Sequence, residues 1–187
     1  RIGACTHSDL CVFSFHPVKI VTTGEGGAVM TQDPALAVRL RELRSHGITR
    51  DPTRMMGPSE GAWYYQQLGL NYRMTDLQAA LGSSQLTRID DFIARRHAIA
   101  DAYDTRLAGL PLATTHRPRD GHSAMHLYCV RLDVSAKRSA VFDALRGAQI
   151  GVNVHYIPIH LQPWYRAMGF APGDFPEAER YYAGALT

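Results

Sequence analysis

The stretch S-F-H-P-V-K-I-V-T-T-G-E-G-G-A-V-M-T, residues 14–31, places one lysine in an apolar run and follows it with a glycine-rich turn. A lysine side chain is nucleophilic only as the neutral amine, which apolar surroundings favour by lowering its pKa. Most lysines between aliphatic residues instead lay their stems on the protein surface and keep the ammonium in water. Lys19 is therefore a candidate reactive amine, and its flanks alone leave both roles open.

The sequence on either side predicts two strands and a turn. Residues 10–15 are apolar and β-prone, residues 24–27 are turn formers, and residues 28–31 predict the second strand. A hairpin is the simplest interpretation of the glycines. They do not match a P-loop, because no Gly-Lys-Ser/Thr follows them.

A helix with clear end signals comes next. Asp33 as N-cap and Pro34 in the first turn predict its start, and Gly47 lies just past its end. Residues 48–73 then show no sustained period and include the aromatic run W-Y-Y. A segment of this kind favours a loop that touches a ligand or another subunit.

The second half of the chain begins with helices. Thr75 and Gln78 have capping-box spacing, and the helical pattern continues to residue 107 with a break near residues 87–90. The pattern changes after Pro111. It then predicts a strand at 125–133, a helix at 137–149, a second strand at 150–159, a short helix and a further helix start near residue 175.

Composition excludes some classes of function. The 187 residues include 20 Lys and Arg against 17 Asp and Glu, intermixed along the chain, which argues against a nucleic-acid partner. No apolar run approaches the roughly 20 residues of a membrane span, and no signal-peptide layout is visible, so we expect a cytoplasmic protein without membrane contact. The spacing of Cys5, Cys11 and Cys129 favours reduced, buried thiols.

The lysine segment S-F-H-P-V-K, followed by I-V-T-T-G-E-G-G, resembles that of the DegT/DnrJ/EryC1/StrS sugar aminotransferases. The resemblance continues through R-S-H-G-I, L-G-L-N-Y-R-M-T-D-L-Q-A-A-L-G and G-V-N-V-H-Y-I-P-I-H-L-Q-P-W-Y. It implies an α/β fold, the C-terminal part of a fold-type-I transferase that depends on pyridoxal phosphate. The division implied is a large-domain remainder at 1–73, connecting helices at 74–110 and a small α+β domain at 111–187.

The resemblance also implies a cofactor site. Lys19 would form the Schiff base with pyridoxal 5'-phosphate and move protons, and Ser14 would bind the cofactor phosphate. Asn71 would reach the phosphate of the neighbouring subunit's cofactor, in a homodimer with shared active sites. Ser14 could instead be a polar residue at a strand end, and Asn71 a turn residue ahead of the helix.

In this family the segment around residues 155–160 approaches the sugar nucleotide. His155, Tyr156 and His160 are therefore candidate substrate contacts, and ordinary packing is the alternative for each. A metal site is not expected, because further ligands for these histidines are not evident.

The function implied is transfer of an amino group from an amino acid, with glutamate expected, to a nucleotide-linked 4-keto-6-deoxy sugar. The motifs are most similar to the PseC branch, on the route to pseudaminic acid. Related sugar 3-dehydratases have histidine in place of the lysine, so Lys19 argues against that reaction.

A non-catalytic fragment or degenerate subunit is the alternative. The family's ring-stacking aromatic, its carboxylate at the pyridine nitrogen and half of its phosphate cup all precede the lysine. We therefore expect a C-terminal piece of a longer protein, inactive by itself.

Overall fold

The computed structural model describes residues 1–55, 64–117, 120–133 and 137–187. The chain divides into two units, Arg1–Asp90 and Asp91–Thr187. The three-segment division at 73 and 110 stays a prediction.

The first unit opens with the two strands expected on either side of the lysine. β1 (Cys11–Ser14) and β2 (Gly27–Met30) pair antiparallel, with Cys11 opposite Met30 and Ser14 opposite Gly27. The hairpin is thus confirmed, but its connection is the whole segment 15–26, which includes Lys19, rather than a glycine turn alone. The apolar run around Lys19 lies in this loop and is not part of a strand.

Helix α1 (Pro34–Arg44) starts where the sequence predicts. The Asp33 carboxylate accepts hydrogen bonds from the backbone N–H groups of Ala35 and Leu36, at 2.7 and 3.3 Å. Glu42 is buried on this helix, and its carboxylate pairs with Arg54 in the 3₁₀ turn Pro52–Arg54. Because a buried charge needs a partner, this pair fixes the turn against α1.

Two glycines explain the close contact between the end of α1 and the segment before α2. Gly47 has a φ of +73°, and a Cβ there would lie 1.8 Å from the Gln67 carbonyl oxygen. A Cβ on Gly69 would lie 2.1 Å from the Gly47 nitrogen. Backbone bonds cross at this point, including His46 N–H to the Leu70 carbonyl at 2.9 Å. Strands β3 (Ile48–Thr49) and β4 (Tyr64–Tyr65) pair antiparallel beside it.

Two helices follow with the predicted break between them. α2 (Asp76–Leu86) begins with the expected capping box, in which the Gln78 N–H donates to the Thr75 hydroxyl and the Thr75 N–H donates to the Gln78 side chain. α3 (Ile89–Leu107) begins three residues later. The break at residues 87–88 is confirmed.

The second unit has a small antiparallel sheet in the order β5 (Leu112–Ala113), β6 (Val130–Leu132), β7 (Ala185–Leu186). Ala185 and Leu186 are fully buried, so β7 forms the centre of this unit's core. The helices are α4 (Arg138–Gly147), α5 (Pro163–Ala167) and α6 (Pro176–Gly184), with a 3₁₀ turn at Ile159–Leu161. Every strand pair in the described residues is antiparallel.

Of the two strands predicted in this unit, one was too long and the other does not form. Of 125–133 only β6 is a strand, because the Thr115 hydroxyl takes both backbone hydrogen bonds of Cys129, at 2.9 Å each, and ends the ladder there. The strand predicted at 150–159 is wrong. That segment makes the single bridge Val154–Leu186 and two backbone bonds between Asn153 and Thr187, since β7 is short and Pro158 has no N–H to donate.

Candidate functional site: the lysine loop and the 155–160 segment

Lys19 lies in the middle of a loop, residues 15–23, whose two ends are joined. The Phe15 carbonyl accepts hydrogen bonds from the Thr23 N–H and the Thr22 hydroxyl, both at 3.0 Å. The Phe15 N–H donates to the Gly26 carbonyl at 2.8 Å, which continues the pairing of β1 and β2. We call residues 15–23 the lysine loop. Its closed base presents Lys19 as a half-buried side chain, while Val18 beside it is 64% exposed.

Short-range hydrogen bonds connect Ser14 to Lys19 along the chain. The His16 N–H donates to the Ser14 hydroxyl oxygen at 3.4 Å, and the Lys19 N–H donates to the His16 carbonyl at 2.9 Å. The Val18 N–H donates to Nδ1 of the His16 ring at 3.3 Å. Ser14 itself is exposed at the end of β1, so its hydroxyl can still donate to a ligand. Two local hydrogen bonds through His16 therefore link Ser14, the last residue of β1, to Lys19 in the lysine loop.

The lysine loop rests on α2 through two residues of that helix. The Thr22 N–H donates to Oε1 of Gln85 at 2.9 Å. A Cβ on Gly82 would lie 2.7 Å from Cγ2 of Thr23, so the helix backbone comes directly against the loop. Thr23 is 3% exposed. These anchors were not predicted, because no local signal distinguishes Gln85 from any other polar residue in a helix.

Asn71 is held by a different pairing in the same unit. It forms an isolated antiparallel bridge with Ser45, and the Tyr72 N–H donates to the Arg44 carbonyl at 2.9 Å. Its side chain is exposed. Asn71 is therefore fixed through its backbone, which leaves its amide available to a partner.

The three candidate substrate contacts lie in the second unit and differ in their surroundings: His155, Tyr156 and His160. The His160 ring is almost completely buried, and its Nε2 lies 2.8 Å from Oε1 of Glu179. It packs at a tilt of 55° on the Phe175 ring, with 4.8 Å between ring centres. Glu179 Oε1 also accepts the Gly173 N–H at 2.7 Å. The Gly173 hydrogen bond first, and then that of His160, lowers the pKa of Glu179 below its ordinary value. His160 thus joins the 159–161 turn to α6.

His155 and Tyr156 are more open to a ligand. Their rings pack on each other with centres 4.3 Å apart, and Tyr156 is 68% exposed. The Nδ1 atom of His155 is buried and has no hydrogen-bond partner among the described residues. A buried nitrogen without a partner is a group that a bound molecule could satisfy. These two side chains remain the better candidates for ligand contact.

Other site classes receive no support from the described residues. No group of three or more His, Cys, Asp or Glu there is placed to hold a metal ion, and no helix is both long and apolar enough to cross a membrane. Cys5, Cys11 and Cys129 are free, as expected, but each is half-buried rather than buried.

The model of the DegT/DnrJ/EryC1/StrS aminotransferase family matches residues 1–187. The chain belongs to this family. The family resemblance drawn from the lysine segment and the later motifs is therefore confirmed, and so is the α/β fold, the C-terminal part of a fold-type-I aminotransferase.

Members of this aminotransferase family match at moderate identity. The spore coat polysaccharide biosynthesis protein SpsC of Bacillus subtilis is 40% identical over 187 residues, which cover 96% of this chain and 48% of that protein. A Campylobacter jejuni UDP-4-amino-4,6-dideoxy-N-acetyl-beta-L-altrosamine transaminase is 37% identical over 183 residues, 96% of this chain and 46% of that protein. The chain thus spans about half the length of the curated relatives it matches.

Solved aminotransferase structures share the fold of this chain. The PLP form of Spr1654 from Streptococcus pneumoniae has a TM-score of 0.86 at 28% identity, covering 98% of this chain and 47% of that one. Helicobacter pylori PseC, an aminotransferase involved in pseudoaminic acid biosynthesis, has a TM-score of 0.84 at 29% identity, covering 96% and 47%.

Proposed function

We propose that the full-length protein is a pyridoxal-phosphate-dependent aminotransferase that acts on a nucleotide-linked sugar. The observation that supports this most is the lysine loop. Its closed base puts Lys19 in mid-loop, and the loop directly follows Ser14 at the end of β1, in a chain of an aminotransferase family. An amine and a hydroxyl five residues apart in the chain are groups that can bind the aldehyde and the phosphate of this cofactor.

The donor set fits the cofactor on its chemistry. Lys19 offers a primary amine, and exposed Ser14 offers a hydroxyl donor beside the backbone of the same turn. Asn71 offers an exposed amide with two donors, from a segment fixed by its backbone. Ser14 and Lys19 would hold the cofactor of their own subunit, and Asn71 that of the partner in a homodimer.

Pyridoxal phosphate, when bound, supplies an aldehyde and an electron-accepting ring. Lys19 Nζ is the group of this chain that would hold the cofactor at its aldehyde carbon until the amino-acid donor takes its place. The Lys19 amine would then move the proton, taking it from the donor's α-carbon and returning a proton in the second half of the exchange. One flexible side chain can do both, because proton transfer depends first on reach.

We further propose a nucleotide-linked 4-keto-6-deoxy sugar as acceptor and glutamate as donor, in pseudaminic acid or related surface-sugar synthesis. Support comes from the transaminase activity of the Campylobacter jejuni relative and the role of the Helicobacter pylori neighbour. His155 and Tyr156 are proposed as sugar-nucleotide contacts, since one has an unpartnered ring nitrogen and the other an exposed ring. His160 is proposed to act there mainly by holding the segment in place.

The test is chemical trapping on the full-length protein. With pyridoxal phosphate present, borohydride reduction followed by peptide mapping is expected to give a pyridoxyl adduct on Lys19. The variant Lys19→Arg keeps the charge but should lose the adduct and at least about a thousandfold in turnover, the scale of losing a covalent catalyst. A folded wild-type protein with no adduct at Lys19 would leave the alternative, a non-catalytic subunit.

A further inference from the structure

The lysine loop is joined to α2 by a side chain that no part of the proposed chemistry uses. Gln85 lies 63 residues after Thr22, yet its Oε1 accepts the Thr22 N–H at 2.9 Å. Gly82 and Gln85 are three residues apart and so share one face of the helix. That face meets the loop at two successive residues, Thr22 by hydrogen bond and Thr23 by direct packing.

Thr22 is the residue through which this contact reaches the loop base. Its hydroxyl donates to the Phe15 carbonyl at 3.0 Å and accepts the Gly24 N–H at 2.9 Å. Its backbone N–H donates to Oε1 of Gln85. The backbone and the side chain of Thr22 are therefore both engaged, and Gln85 makes the bond that comes from outside the 15–26 segment.

We propose that Gln85 is a positioning residue for Lys19, an inference that rests on the proposed function. By accepting the Thr22 N–H, it fixes the far end of the lysine loop relative to α2. Lys19 stands midway between Phe15 and Thr23, so a shift of either end moves the amine. Misplacing a reacting group by about 1 Å can cost on the order of a hundredfold in rate.

Two substitutions separate the hydrogen bond from helix stability. Gln85→Met keeps the length and the helix propensity of the side chain but removes the acceptor. Gln85→Glu keeps an acceptor oxygen at the same position. Ser83→Ala, an exposed neighbour on the same helix, is the control for substitution in α2 as such.

The first measurement needs no cofactor. In the cofactor-free full-length protein, hydrogen exchange of the Thr22 amide is expected to be about tenfold faster in Gln85→Met, since protection of an amide reports its local opening. It should be unchanged in Gln85→Glu and Ser83→Ala. Wild-type exchange of this amide in Gln85→Met would overturn the inference.

The second measurement is kinetic, with pyridoxal phosphate, glutamate and a UDP-linked 4-keto-6-deoxy sugar. Gln85→Met should lower kcat by about ten- to a hundredfold with KM for glutamate within about twofold, because the amine is misplaced and donor binding is not. Gln85→Glu should restore most of kcat. A kcat for Gln85→Met equal to that of Ser83→Ala would overturn the inference even if exchange changes.

The failures are distinguishable. Absence of a Lys19 adduct in the wild-type protein overturns the proposed function and the inference with it. A normal wild-type adduct, together with unchanged Thr22 exchange or unchanged kcat in Gln85→Met, overturns the inference alone.

Discussion

At the scale of single residues, Glu179 shows how one carboxylate links stability to pH. The Gly173 N–H and the His160 ring hold the pKa of Glu179 below its ordinary value of 4.5. A lowered folded-state pKa gives stability that is complete above the unfolded value and is lost as the pH falls through the folded value. Glu179→Gln should therefore be less stable than wild type at pH 7, with a difference that shrinks from about pH 4.5 downward.

Chemical denaturation of the full-length protein across this range measures the difference. Glu177→Gln is the matched control, because Glu177 lies on the same helix in an exposed pair with Arg180, and such pairs contribute little. A Glu179→Gln deficit that stays constant between neutral pH and about pH 3.5 would contradict the linkage argument.

The candidate site could be predicted from the sequence only where its residues lie within a local motif. Lys19 and Ser14 became candidates because the segment around them resembles the family's lysine motif, whereas the apolar flanks of Lys19 alone left its role open. Gln85 and Glu179 did not, because their partners are 63 and 19 residues away and neither has a local pattern. Both are polar residues within helices, and their partners are set by how separate segments pack.

At the scale of elements, the contact between the end of α1 and the segment before α2 depends on glycine. Gly47→Ala would place a Cβ 1.8 Å from the Gln67 carbonyl oxygen in addition to the strain of a positive φ. Gly109 has a similar φ of +80°, but a Cβ added there would meet no atom within 4 Å, so Gly109→Ala measures the backbone contribution alone. We expect a cost of about 1–2 kcal/mol for Gly109→Ala and at least about 3 kcal/mol for Gly47→Ala.

Denaturant titrations of the two variants in the full-length protein test this comparison. Equal losses of stability would show that the α1 junction tolerates a side chain and that the close approach at Gly47 is not needed. Because the Asn71 bridge to Ser45 lies in the same junction, Gly47→Ala should also weaken cofactor retention, whereas Gly109→Ala should not.

Elements with local end signals could be predicted, and those made by long-range pairing could not. The Asp33 cap and the Thr75–Gln78 capping box locate α1 and α2 because their bonds lie within three residues. The segment 150–159 has an alternating apolar pattern, yet its partner β7 offers only two strand residues. Pattern gives the preference of a segment for extended backbone, and the partner decides whether a strand forms.

At the scale of the whole molecule, the exposed surface is larger than a self-sufficient fold of this mass requires. The chain of 20.7 kDa has an accessible surface of 13875 Å². A compact monomer of that mass exposes about 8,900 Å², and two separate bodies of half the mass expose about 10,700 Å². The excess includes large apolar side chains, of which Leu68 is 98% and Leu77 86% exposed.

Apolar surface of this extent is normally covered by more protein. The 187-residue chain produced alone should therefore bind a hydrophobic dye, self-associate in light scattering and show no appreciable transamination. The full-length protein should neither bind the dye nor self-associate in this way. Only six apolar residues of the described part are buried, so much of its apolar surface stays available for association. A monodisperse monomer of the short chain with a cooperative melt and turnover would show that these surfaces need no covering and that Lys19 needs no residues beyond this chain.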